Sequence, residues 1–218
     1  MMQIHYLSEQ NSILTHFLSQ LRNVEVQKDS MRFRRNIERI GEIMSYEISK
    51  TLEFRPIEVQ TPLARKSTFE LKDQVVICSV LRAGLALHYG FLNYFDDCEN
   101  GFISAYRHHP NNDDEFEIKV EYQAVPNIHD KILLLVDPML ATGQSLVAVF
   151  NQLLSAQKPK EIHIAAVIAA PEGIDYLKTN LPDTCHLWIA TLDECLNDKK
   201  YIVPGLGDAG DLAYGSKL

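Results

Sequence analysis

Ile132-Leu133-Leu134-Leu135-Val136-Asp137-Pro138-Met139-Leu140-Ala141-Thr142-Gly143-Gln144-Ser145 is the stretch on which the reading of this chain turns. Its unbroken apolar run predicts a strand buried on both faces. The acid ends that strand, an Ala-Thr-Gly-x-Ser turn follows, and Leu146, Val149, Phe150, Leu153 and Leu154 then recur at helical spacing. A strand that turns sharply and opens a helix gathers hydroxyls and free backbone N–H groups around one anion, with the helix dipole pointing at it. Asp137 is left for a sugar. The same residues would also serve as a plain turn and N-cap, so the rest of the chain has to decide.

Working outward, short apolar runs alternate with helical ones. Val75 to Val80, Gly101 to Tyr106, Lys131 to Val136, Ile162 to Ala169 and His186 to Ala190 read as strands, with a helical stretch around Leu85 to Tyr94. The fold class predicted is α/β, an open, mostly parallel twisted sheet flanked by helices. Phe33, Ile37, Ile40, Met44 and Ile48 mark an amphipathic helix near the N-terminus, and the arginines between them are read as a solvated face. Pro110 to Asp114 followed by the alternating Phe116, Ile118, Val120 and Tyr122 predicts a projecting β-hairpin, a candidate lid and equally an edge extension or a dimer contact.

The chain has 218 residues, 46% hydrophobic and 23% charged, which suits one globular domain with a single sizeable core. Within it, 1–70 forms a helical segment and arm, 71–195 the core, and 196–218 a C-terminal loop. A net charge of −8 argues against a nucleic-acid surface. The start, Met1-Met2-Gln3-Ile4-His5, lacks a basic segment followed by an apolar run, and no window reaches the length of a membrane span, so a cytoplasmic protein is expected. Cys78, Cys98, Cys185 and Cys195 are widely spaced and read as reduced thiols.

In open α/β sheets, ligands bind beyond the carboxyl ends of the strands. Arg82 and Arg107 both fall there, and two guanidinium groups at neighbouring strand ends suit a diphosphate. Tyr201-Ile202-Val203-Pro204-Gly205-Leu206-Gly207-Asp208-Ala209-Gly210-Asp211 reads as a shaped, packed loop, neither helix nor strand, that offers main-chain groups to a flat polar ligand.

With these pieces in order, Leu81-Arg82-Ala83-Gly84-Leu85, Tyr106-Arg107, Val136 to Ser145, Ala169-Ala170-Pro171-Glu172-Gly173, and Tyr201 to Asp211 with Tyr214-Gly215, the chain resembles the uracil phosphoribosyltransferases of the type I phosphoribosyltransferase fold. The match runs from about residue 80 onward, and the first 70 residues match loosely. The resemblance implies transfer of a phosphoribosyl group from 5-phospho-α-D-ribose 1-diphosphate to N1 of uracil, with a small hood built from N- and C-terminal segments. By the family pattern, Arg82, Arg107, Asp137 and Asp208 are catalytic. The diphosphate sugar is held by these and by Pro138, Met139, Leu140, Ala141, Thr142, Gly143, Gln144 and Ser145. Uracil meets the main chain of Ile202, Gly207, Asp208 and Ala209. Mg2+ is expected to ride mainly on the substrate and water, with Asp208 nearby and no all-protein cage. The resemblance also implies a homo-oligomer, dimer or tetramer, and a possible GTP effector.

Gln144 departs from the family, which usually has glycine there; glutamine would be strained if the position needs a positive φ. His108 and His109 are read as exposed hairpin residues in place of catalytic bases. Two other functions fit part of the pattern. A phosphoribosyltransferase for another base is one, although orotate would call for a cation that Ile202 to Ala209 lacks. The other is a regulator that binds the diphosphate sugar with little or no turnover.

Overall fold

The computed structural model describes residues 2–108, 117–155 and 157–217, with the backbone alone described at 106–108 and 117–119. In chain order the first half runs β1 (Gln3–Tyr6), α1 (Ile13–Arg22), α2 (Ser30–Ser49), β2 (Phe54–Gln60), β3 (Arg65–Leu71), β4 (Val75–Leu81), α3 (Gly84–Leu92) and β5 (Glu99–His108). The second half runs β6 (Glu117–Ala124), β7 (Ile132–Val136), β8 (Met139–Leu140), α4 (Gln144–Leu154), β9 (Glu161–Ala169), α5 (Pro171–Asn180), β10 (Cys185–Leu192), β11 (Cys195–Leu196), β12 (Ile202–Val203) and α6 (Ala209–Tyr214).

An eight-stranded sheet takes the order β1-β10-β9-β7-β4-β5-β6, with β8 pairing β9 beside it. Every pairing is parallel except that of β5 with β6. The unbroken apolar runs follow from this layout, because the central strands feed two cores at once. On one face Ile77, Leu134, Val136, Ala165 and Val167 pack with residues of α1, α2 and α3. On the other Val76, Cys78, Leu133, Leu135 and Ile164 pack with Leu146, Val149, Phe150 and Leu153 of α4 and with Ile174 and Leu177 of α5. Each Val, Leu, Ile or Phe among them contributes about 1.5–3 kcal/mol through burial, so neither face can be given up.

Local chemistry sets the helix starts. Ser12 and Thr15 form a capping box at α1, and Asp29 accepts from the N–H groups of Met31 and Arg32, both at 3.1 Å, at α2. The arginines of α2 divide between roles. Arg35 pairs with Glu38, while Arg34 donates to the carbonyl of Ala213 at 2.5 Å and so ties α2 to α6.

Three features differ from the sequence reading. β1 is an added edge strand against β10, and β2 and β3 form a separate antiparallel hairpin with little burial on either face. Tyr201 to Asp211 is not all loop, since Ile202–Val203 pairs with Cys195–Leu196 and Ala209 opens a helical turn. The hairpin agrees with the edge-extension reading in its described part, where β6 runs along β5 from Phe102 opposite Ala124 to His108 opposite Glu117 and forms the edge of the main sheet. The turn of that hairpin, including His109 and Phe116, lies outside the described residues.

Candidate active site

The turn after β7 is bound to β9 as it leaves the sheet. The N–H of Asp137 donates to Ala165 O at 3.1 Å, Pro138 O accepts from Val167 and Ile168 N–H at 3.0 Å each, and Leu140 O accepts from Ala170 N–H at 2.9 Å. This pairing makes alternate residues face opposite ways. Pro138 and Leu140 are buried and anchor the turn, while Asp137, Met139, Ala141, Thr142, Gly143 and Ser145 line a cavity. Of the expected sugar-phosphate contacts, Pro138 and Leu140 therefore act as supports.

α4 opens at Gln144, and Gly143 before it holds the left-handed conformation, φ 77°. The strain considered for Gln144 does not arise, because the glycine-requiring position is one residue earlier and Gln144 is already helical. No side chain caps α4. The Thr142 hydroxyl accepts from Gln144 N–H and donates to Gln144 Oε1, both at 3.5 Å, so the next N–H groups of the helix start and the Ser145 hydroxyl are what is left to face an anion. Gln144, its Oε1 accepting from the Thr142 hydroxyl, also lines a neighbouring cavity of about 310 Å³ with Glu172, Tyr176 and Lys200.

The main cavity, about 500 Å³, brings together Arg82, Asp137, Met139, Ala141, Ser145, Asp208 and Gly210 from distant parts of the chain. Asp137 accepts from Met139 N–H at 3.2 Å, and burial pushes its carboxyl up to about 7. A carboxyl poised there can take up or release a proton near neutrality.

Arg82 follows β4, directly after a cis Leu81–Arg82 peptide bond. Its Nη2 donates to Asp211 Oδ1 at 2.9 Å and its Nη1 to Gly215 O at 3.2 Å, while its buried Nε–H has no partner among the described residues. Arg107 lies in β5, the parallel neighbour of β4, so the backbone sets the two arginines on adjacent strands. The side chain of Arg107 lies outside the described residues.

Asp208 caps α6, its Oδ1 accepting from Asp211 N–H at 2.9 Å. Ile202, Gly207 and Ala209 flank the cavity wall that Tyr201, Asp208 and Gly210 form, with Ile202 and Ala209 buried. The position of this loop is fixed from outside it. Arg22 of α1 pairs with buried Asp193, both groups bond to the main chain of Gly205, and Gln27 donates to Leu206 O at 3.2 Å. Sequence reading missed Arg22, Asp193 and Asp211, and also Lys199, Lys200 and Lys217, which line the main cavity. A basic pair beside Tyr201 was the one available signal. Among the described residues no three His, Cys, Asp or Glu side chains converge as a metal cage.

An ionisable acid beside an uncapped helix start, with a glycine-bearing loop opposite, places the fold among α/β proteins that grip a sugar phosphate at the strand ends. The uracil phosphoribosyltransferase family model matches residues 8–216. A uracil phosphoribosyltransferase of Porphyromonas gingivalis is 49% identical, with all of both chains covered, and one of Methanococcus vannielii is 39% identical over 96% of this chain and 89% of its own. Among solved structures, the AQ2163 protein of Aquifex aeolicus is similar with a TM-score of 0.88 and 29% identity, covering 99% of this chain and 100% of that one. The chain belongs to the uracil phosphoribosyltransferase family.

Proposed function

We propose that this protein transfers the phosphoribosyl group of 5-phospho-α-D-ribose 1-diphosphate to N1 of uracil, giving uridine monophosphate (UMP) and pyrophosphate. The observation that carries this reading is the single cavity in which Asp137, the Ser145 end of the phosphate turn, Arg82 and Asp208 meet. The 5′-phosphate sits on Thr142 to Ser145, and the ribose hydroxyls donate to Asp137. The diphosphate lies toward Arg82 and Arg107.

The reaction breaks the C1′–O bond, whose electron pair leaves with pyrophosphate as negative charge, and forms the C1′–N1 bond as uracil N1 gives up its proton to water, while the ribose takes on oxocarbenium character. Arg82 counters the first change, and its anchoring by Asp211 keeps it oriented before substrate arrives. The loop held by Arg22 and Asp193 presents uracil's N1 to C1′, a matter of positioning more than of a protein nucleophile. Main-chain donors and acceptors at Ile202, Gly207 and Ala209 would leave groups unpaired against cytosine.

The donor set fits Mg2+ carried mainly by the diphosphate and water. Asp137 is pushed toward its neutral form, and Asp208 is the acid left facing the cavity. Bound there, the ion would neutralise leaving-group charge. The same proposal includes a cytoplasmic location, a homo-oligomer and a GTP response, the last two checked by sedimentation and by rates with added GTP. No helix among the described residues is long and apolar enough to cross a membrane.

The test is to incubate purified protein with Mg2+, the diphosphate sugar and uracil, and to measure UMP by chromatography. Formation of UMP, with cytosine and orotate unused, is the expected result. Tight sugar binding without UMP would overturn the proposal.

A further inference from the structure

Between β11 and β12 the chain reverses through Asn197, Asp198, Lys199 and Lys200, and Lys200 sits at φ 63°, a left-handed conformation that lysine rarely adopts. The turn enforces it. Asn197 Oδ1 accepts from the N–H groups of Lys199 and Tyr201, both at 3.0 Å, and Lys200 N–H donates to Asn197 O at 2.8 Å. Lys200 is thereby set on the shared wall of two cavities. One is the site of about 500 Å³ that contains Arg82 and Asp137; the other, about 310 Å³, contains Thr142 and Gln144.

Its ammonium makes no ion pair among the described residues, in contrast to Lys131 and Lys160. Glu172 lines the smaller cavity too, but its Oε1 already accepts from Leu196 N–H at 2.9 Å. A lysine is a compact charge on a flexible stem and reaches a phosphate without fixed geometry. Arg82 lines the same main cavity but is already paired with Asp211 at 2.9 Å.

We propose that Lys200 is a substrate-binding cation for the 5′-phosphate of the phosphoribosyl donor, closing over Thr142 to Ser145 beside Gln144. The inference rests on the phosphoribosyltransferase reading above. It extends that reading to a residue outside the motifs that carried it.

The test uses Lys200→Gly and Lys200→Asn, which both accept the left-handed backbone, and Lys200→Arg, which keeps the charge. Binding of ribose 5-phosphate and of pyrophosphate is measured by calorimetry, alongside KM for both substrates. Ribose 5-phosphate affinity and the donor KM worsen about five- to tenfold in the glycine and asparagine variants, and stay within about twofold in the arginine variant. The KM for uracil and the pyrophosphate affinity hold in all three. Unchanged ribose 5-phosphate affinity in Lys200→Gly would overturn the assignment, as would no binding by the parent protein, an equal loss in Lys200→Arg, or weakened pyrophosphate binding instead. A parent protein that binds ribose 5-phosphate through Lys200 but makes no UMP would refute the proposed reaction alone.

Discussion

Arg22 and Asp193 lie 171 residues apart and meet in a two-pronged ion pair, with Nη1 at 2.9 Å from Oδ2 and Nη2 against Oδ1. Gly205 completes the joint, its carbonyl accepting from Arg22 and its N–H donating to Asp193, both at 2.9 Å. The end of the first helix thus holds the loop proposed to face uracil.

Removing the guanidinium strands a carboxylate that is 3% exposed, although Arg22 itself is 26% exposed and partly screened by water. Arg22→Ala should cost about 2–3 kcal/mol in urea unfolding, below the ~3–5 of a fully buried pair. In steady-state kinetics the KM for uracil should rise at least about fivefold, with the donor KM little changed. Equal changes in both would mean that the joint supports the whole site and not the base loop.

Asp137 contributes to stability with the sign of a raised carboxyl. Its value lies at about 7 against an ordinary 3.8, so the unfolded chain gives up its proton first as pH rises. Its contribution is full below 3.8 and is lost by about 7. Asp137→Asn should therefore be more stable than the parent at pH 8, by about 2 kcal/mol once the cavity's solvent is allowed for, and the two should converge at low pH. At pH 8, above the value of about 7 where the Asp137 carboxyl ionises, UMP formation should fall about a hundredfold or more, because the ribose hydroxyls lose a carboxylate acceptor. A variant as active as the parent would remove Asp137 from the mechanism.

Gly173, in the first turn of α5, packs on the phosphate turn so closely that an added Cβ would lie 2.3 Å from Ala141 O and 3.0 Å from Leu140 O. Both neighbours are backbone and cannot rotate aside. Gly173→Ala should shift the turn, raise the donor KM about tenfold and leave the uracil KM near its original value. A crystal structure with the turn unmoved would contradict this.

His163 accepts from Trp188 Nε1–H at 3.1 Å through Nδ1, which leaves Nε2–H to donate to Glu161 Oε2 at 3.3 Å. Burial first, then nearby His186 and His5, push it down to about 3 from 6.5, so the folded protein keeps it neutral while the unfolded chain takes up a proton. Its contribution is complete above 6.5 and declines toward 3, by up to about 1.4 kcal/mol per pH unit. His163→Gln keeps an acceptor for the indole and does not titrate. Its urea stability should fall less steeply through that window, and parallel curves would count against the assignment.

What could be read from sequence depended on how each element meets water. β4, β7, β9 and β10 announced themselves because both faces are buried, so nearly every residue is apolar. β2 and β3 carry no such signal, since their pairing is main-chain and Phe54 and Phe69 stand exposed. β1 is a four-residue edge whose strand character comes from β10 alone. At the site, the turn from Asp137 to Ser145 was visible because its chemistry is local. Arg22, Asp193 and Lys200 were not, because their roles exist only once distant segments meet.

The order of the strands governs how the molecule can be made. β1 is made before β10, its sole neighbour among the described strands of the sheet, and has to wait for it, while Arg22 waits for Asp193 and Arg34 for Ala213. A nascent chain emerging N-terminus first can thus assemble the middle of the sheet but holds β1 unpaired and the cavity unfinished until β10 and α6 have emerged. Pairings of such separation are slow to form. Loss of α1 or of α6 should accordingly disable the site even where the central sheet survives.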